Sequence, residues 1–171
     1  MELLEIIRTR RSVRKFNGEE VDDADINTML EAGRWAPSGL NNQPWRFAVI
    51  RKEKTKKELA AATKYSSIVL GADVLIAVFL DRLAIYDRTK DALAIGACIQ
   101  NMLLVAHSLG LGACWLGQIL AKREVVEQVL GVPNSFELMA VIAIGYPTTS
   151  SQKGRRDNLE QLVFLREEAK G

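Results

Sequence analysis

From Ala92 to Leu109 the chain carries no aspartate, glutamate, lysine or arginine. With the residues just before it, this run predicts one long helix from about Asp87 to Leu109, apolar nearly all round. Such a helix must be covered on nearly all sides. A bilayer could do that, but an adjacent Gln100-Asn101 pair and His107 argue against a span. The N-terminus, Met1-Glu2-Leu3-Leu4-Glu5, lacks a signal-peptide core. The expectation is therefore a helix inside a cytoplasmic domain, with no membrane partner. Ala92, Ala94, Gly96, Ala97 and Cys98 are small and let another backbone come close. A chain of 171 residues has few other elements to cover this helix. A second copy of it would serve, and two-fold homodimers are the commonest assembly; a cover made by the chain's own sheet is the alternative.

The remaining pattern mixes helices and strands. Leu3, Leu4, Ile6 and Ile7 predict a short helix over 2–9. Asp22, with Asp25 in the capping-box position, predicts a helix start; Ile26, Met29, Leu30 and Gly33 form its inner face, and Pro37 ends it. Strands are expected over 46–51, 74–80, 113–117 and 138–145. The 74–80 run is continuously apolar between Asp73 and Asp81, as for a central strand. Helices are expected over 52–64, exposed and charged on most faces with Leu59 and alanines turned in, and over 122–130, with a turn or helix at 66–71. The tail from Leu159 to Leu165 is open between a last strand and an arm. Without strict β-α alternation, these elements predict an α+β sandwich around a mixed sheet. One domain, 1–171, is expected, with 148–171 as a C-terminal loop and arm.

Several chemistries lack their parts. A formal charge of +2 is small for a nucleic-acid binder. The single histidine and two cysteines offer no His-based metal site, zinc-ligand spacing or Ser-His-Asp triad. His107 is expected to be structural and favoured by the helix C-terminal dipole, and Asp91 to serve the positive end of the same helix. Cys114 is the thiol nearer a ligand, although packing as a small apolar residue is the simpler role. Gly110-Leu111-Gly112 imitates a dinucleotide fingerprint, but a helix precedes it and Trp115 fills the third glycine's place.

Three segments remain. Arg8-Thr9-Arg10-Arg11-Ser12-Val13-Arg14-Lys15-Phe16 offers guanidinium forks and a hydroxyl suited to phosphate. Residues 36–45, Ala-Pro-Ser-Gly-Leu-Asn-Asn-Gln-Pro-Trp, form a loop of amides between two prolines. Trp115-Leu116-Gly117 is an apolar strand end. Together they hold the parts needed by a flavin mononucleotide: cations for the phosphate, amides for the ribityl chain and pyrimidine edge, and a strand end for the flat ring.

In that order, with Gln100-Asn101 and Ile144-Gly145-Tyr146-Pro147 before a basic segment, the motifs resemble the nitroreductase family of FMN-dependent oxidoreductases over nearly the whole chain. The resemblance implies an α/β/α sandwich around a mixed, mainly antiparallel sheet, completed by dimerisation, with FMN at the subunit interface. It implies that Arg10, Arg11 and Ser12 meet the phosphate and ribityl chain, and Arg14 the pyrimidine side. Pro37, Ser38, Gly39 and Asn41 would come from the second subunit. Trp115, Leu116 and Gly117 would lie behind the ring, and Arg155 and Arg156, or Lys153 in one of their places, would join the phosphate. No side chain is expected to be catalytic. Hydride would pass from NAD(P)H through flavin N5 to a small planar acceptor, a nitroaromatic or a quinone, in a ping-pong cycle. The chain departs from larger members in its short segment around Tyr86 and in having Leu116 where glutamate is frequent. Two rivals stand beside this expectation: a flavin-binding protein with a specialised or minimal redox role, and a small nucleic-acid-binding dimer.

Overall fold

The computed structural model describes residues 2–148 and 153–167. Thr149–Gln152 of the polar loop and the end of the tail after Glu167 lie outside the described residues. The elements, in order, are α1 (Leu3–Thr9), α2 (Asp23–Arg34), β1 (Trp45–Ile50), α3 (Glu53–Ala60), α4 (Ser66–Gly71), β2 (Val74–Asp81), α5 (Arg88–Ser108), β3 (Gly112–Leu116), α6 (Arg123–Leu130), β4 (Phe136–Gly145) and α7 (Leu159–Leu162).

The four strands run β1-β2-β4-β3, each neighbour antiparallel. The mixed character expected from sequence enters only through a parallel bridge between Ser12 and Ala113. Every residue of β2 is buried, as its unbroken apolar run requires. Each fully buried Leu, Ile or Phe there contributes roughly 1.5–3 kcal/mol. One face of the sheet presents Ile76, Val78, Leu80, Ile142 and Ile144 to α2 and α5. The other presents Leu75, Ala77, Phe79, Val141 and Ala143 to a layer that includes Leu59, Ile68, Val69 and Val126 of α3, α4 and α6. A bulge at Val78/Phe79 shifts the β2–β4 register before the ladder ends at Asp81 and Phe136.

Two local expectations change, and two that stood open are narrowed. Asp22 does occupy the N-cap of α2, but its side chain makes no capping bond, so the capping box is not formed. The helix expected over 52–64 is shorter and not uniformly exposed. Lys56 is buried, its Nζ donating to the carbonyl of Ala72 at 2.9 Å and closing the end of α4. The tail forms the single turn α7 and then an extended, exposed run, with Phe164 98% accessible. Finally, α5 is not covered all round by its own chain. Leu93 is 70% exposed, Gln100 is exposed, and a Cβ placed on Gly96 would meet nothing within 4 Å. These positions follow helical spacing and form one uncovered stripe down α5.

Candidate functional site

The arginine stretch is an extended segment laid along β3. The Val13 N–H donates to the Ala113 carbonyl at 3.0 Å, and Phe16 bridges Pro147. Gly112 makes the approach possible: a Cβ there would lie 2.7 Å from Val13 Cγ1. Val13 and Phe16 are partly buried and anchor the segment, while Arg14 and Lys15 between them reach solvent from a fixed backbone. At the start of the segment Thr9 Oγ1 donates to the Glu5 carbonyl at 2.7 Å and lies 2.8 Å from His107 Nε2. Having given its only proton to Glu5, the hydroxyl accepts from the imidazole, which fixes the Nε2–H tautomer.

Like charges gather here. Burial, then Arg156 and Arg11, lower the pKa of Arg10. Arg11 donates to the carbonyls of Arg8 at 2.7 Å and Arg10 at 2.6 Å. A Cβ added to Gly154 would overlap the Arg11 guanidinium, so the late basic segment crosses the arginine strand at that point. Among the described residues, no carboxylate forms an ion pair with Arg10, Arg14 or Arg156. Arg156 lies close enough to lower the pKa of Arg10, and its Nη1 donates to the Arg155 carbonyl at 2.7 Å. The dipole expectation for His107 is corrected: burial, followed by Arg10 and Arg11, pushes its pKa down and keeps it neutral. Beneath the strand, burial pushes the Cys114 thiol up, and Arg14 and Arg10 pull it partly back.

The amide loop lies elsewhere. Pro37, Ser38 and Gly39 line a groove with Lys90, Leu93, Ala94 and Ala97, on the first half of α5. Arg10 and Arg11 line a cleft with Leu103 and His107, on the second half. About ten helical residues, or roughly 15 Å, separate the two. Within one chain, therefore, the arginine strand and the loop do not meet. Asn41 is exposed within the loop, and Leu40, Asn41 and Gln43 have φ of 54°, 54° and 48°. Trp115 is 42% exposed, Leu116 is buried, and Gly117 stands exposed just after the strand end.

A phosphate-tailed ligand fits this donor set. Among the described residues Arg10, Arg14 and Arg156 have no carboxylate in an ion pair, and burial, followed by the charges of Arg156 and Arg11, already depresses Arg10. An anion in that place would remove the repulsion. What the sequence did not show is the support behind the loop: fully buried Asp91, with Asn42 and Tyr86 bonded to it. An acidic residue near a helix start, an amide and a tyrosine are each too common to single out.

Comparison with known proteins bears on the same segments. Residues 7–64 and 59–146 match the model of the nitroreductase family. A protein from Desulfovibrio desulfuricans, named as a nitroreductase and crystallised with FMN, superposes with a TM-score of 0.93. It is 46% identical, over 99% of each chain. A relative from Archaeoglobus fulgidus, named as an NADH dehydrogenase/NAD(P)H nitroreductase, is 33% identical over 85% of this chain and 86% of its own. The iodotyrosine deiodinase of Thermotoga neapolitana is 26% identical over 92% and 95%. With the antiparallel sheet, the bridged arginine strand and the amide loop all within the matched residues, the chain belongs to the nitroreductase family.

Proposed function

We propose that the chain is an FMN-dependent NAD(P)H oxidoreductase working as a homodimer in the cytoplasm, on a small planar acceptor such as a nitroaromatic or quinone. The carrying observation is the separation just described. The cation cluster and the amide loop sit at opposite ends of α5, and the stripe between them, Leu93, Gly96 and Gln100, is uncovered. Two α5 helices packed antiparallel along that stripe would bring the loop of one subunit to the arginines of the other. Small residues at the contact suit such close packing. Among the described residues no helix is long and apolar enough to cross a membrane.

In this arrangement Arg10, Arg11 and Arg156 hold the phosphate, with Arg155 or Lys153 at its edge, and Ser12 meets the ribityl chain. Arg14 places positive charge near the pyrimidine. The main chain at Leu116 and Gly117 lies behind the ring, beside Trp115. Pro37, Ser38, Gly39 and Asn41 of a second subunit close the site. FMN, when bound, supplies the hydride chemistry at its N5. The chain's own residues bind, orient and exclude water, and none is asked to act as nucleophile or general acid. The whole chain serves as one domain, with 148–171 as the loop and arm that reach the second subunit.

The test is the absorbance spectrum of purified protein, followed by anaerobic addition of NADPH and NADH. A flavin spectrum that bleaches supports the reading. A colourless protein that takes up no added FMN overturns it, and salt-sensitive binding of nucleic acid would then support the rival. A yellow protein that neither donor bleaches overturns the reductase and leaves a passive flavin binder. Re-oxidation by a nitrobenzene, a benzoquinone or an iodinated phenol sorts the acceptor classes.

A further inference from the structure

Three non-glycine residues in the left-handed region within four positions, Leu40, Asn41 and Gln43, make the amide loop costly. Side-chain-bearing residues hold this conformation only where their surroundings impose it. Two contacts do so. Asn42 Nδ2 donates to Asp91 Oδ1 at 2.7 Å and to the Ala84 carbonyl at 2.9 Å. At the other end, the Tyr86 ring lies against Gly39 so closely that a Cβ there would overlap it. Tyr86 is itself positioned by its N–H, which donates to Asp91 Oδ2 at 3.0 Å, and the Asp87 N–H adds a bond at 3.2 Å.

Both contacts thus lead back to one carboxylate. Asp91 has 0% exposure, and among the described residues no lysine or arginine forms an ion pair with it. A buried carboxylate is tolerated when hydrogen bonds replace its water. Here they come from the loop, from the segment before α5 and from the α5 N-terminus. We infer that Asp91 is a positioning residue: it clamps Asn42 and Tyr86, and so holds the Pro37–Gln43 loop in the shape that meets the flavin. Only the final clause of that inference rests on the FMN reading above; the clamp itself is a property of one subunit.

The experiment compares Asp91→Asn, Asn42→Ala and Asp87→Asn with the unaltered protein, in the dimer as purified. FMN dissociation constants are read by flavin fluorescence, and deuterium exchange over 39–43 is read in the apo-protein. Asp91→Asn keeps the side-chain shape but weakens the acceptor, and a lost charge-assisted bond corresponds to about tenfold or more. It should raise the FMN dissociation constant about tenfold and speed exchange in the loop. Asn42→Ala should do the same through the loop alone, which keeps the test open if Asp91→Asn folds poorly. Asp87→Asn removes only the carboxylate charge at the α5 N-cap and keeps an oxygen for the Lys90 N–H, which Asp87 accepts at 2.9 Å. It should leave both readings within about twofold, since a cap acts on its own helix. Unchanged loop exchange in Asp91→Asn and Asn42→Ala would overturn the clamp. So would an equal effect from Asp87→Asn, which would make Asp91 a helix-end residue only. Should the unaltered protein bind no FMN, the flavin reading fails by itself, and loop exchange still decides the clamp.

Discussion

The arginine strand and the amide loop are held by opposite means. The strand is fixed through its main chain: the bonds of Val13 and Asn17 to Ala113 and Tyr146 place the segment whatever side chains it carries. The loop is fixed through side chains, by Asn42 on a buried carboxylate and Tyr86 on Gly39. Cations in the strand can therefore be changed without moving the backbone, at a cost felt only by a bound anion. In the loop the support and the shape are one unit, so changes there should alter binding and local order together.

The most severe break in this comparison is to keep the two regions apart. Gly96→Leu adds bulk on a face open in the single subunit, so the subunit should fold. Sedimentation velocity should show monomer, against the dimer expected of the unaltered protein, and FMN should be lost on desalting. An intact dimer would place the subunit contact elsewhere. Next, Arg10→Ala should raise the FMN dissociation constant about 10–100-fold, the range for a charge-assisted bond of about 1.5–3 kcal/mol. The apo-protein should melt no lower, because a repelled cation is gone. An unchanged dissociation constant would remove Arg10 from the phosphate.

Smaller effects sharpen the picture. Arg156, and not Arg155, is among the charges that lower the pKa of Arg10. Arg156→Ala should weaken FMN by about fivefold, near the 1 kcal/mol upper range of exposed pairs. Arg155→Ala should cost less; the reverse order would shift the register of the late basic segment. His107 gives the slightest effect, and its sign is set. Its folded pKa lies below the ordinary value of about 6.5. Above that range it is neutral in both states. As pH falls through it, the unfolded chain takes up a proton that the folded chain refuses, so stability drops with acid until the lowered folded pKa is passed. Thermal melts of the apo-protein between pH 7.5 and 5.5 should fall more steeply than those of His107→Gln. Parallel slopes would mean that the ring charges freely beside Arg10.

Much of the fold was open to inspection before any coordinates. The unbroken apolar run of β2 dictated a central strand, and the uncharged run to Leu109 dictated a long helix; both bound their elements to within a residue or two. The prolines at 37 and 44 marked the loop. Local chemistry was harder. Lys56 looked like one more exposed cation, and its burial depends on where the α4 carbonyls end. His107 looked stabilised by a helix terminus, until the arginine strand was found across it.

Residue type and spacing alone determined which segments are apolar, which carry cations and where turns must fall, because side-chain volume, charge and backbone freedom are properties of each position. Only the tertiary structure decided that Arg156 lies beside Arg10, that the amide loop sits about 15 Å away along α5, and that Asp91 underpins it. Those are relations between segments distant in sequence. They arise when strands pair and helices pack, and no local pattern carries the distance between two surfaces.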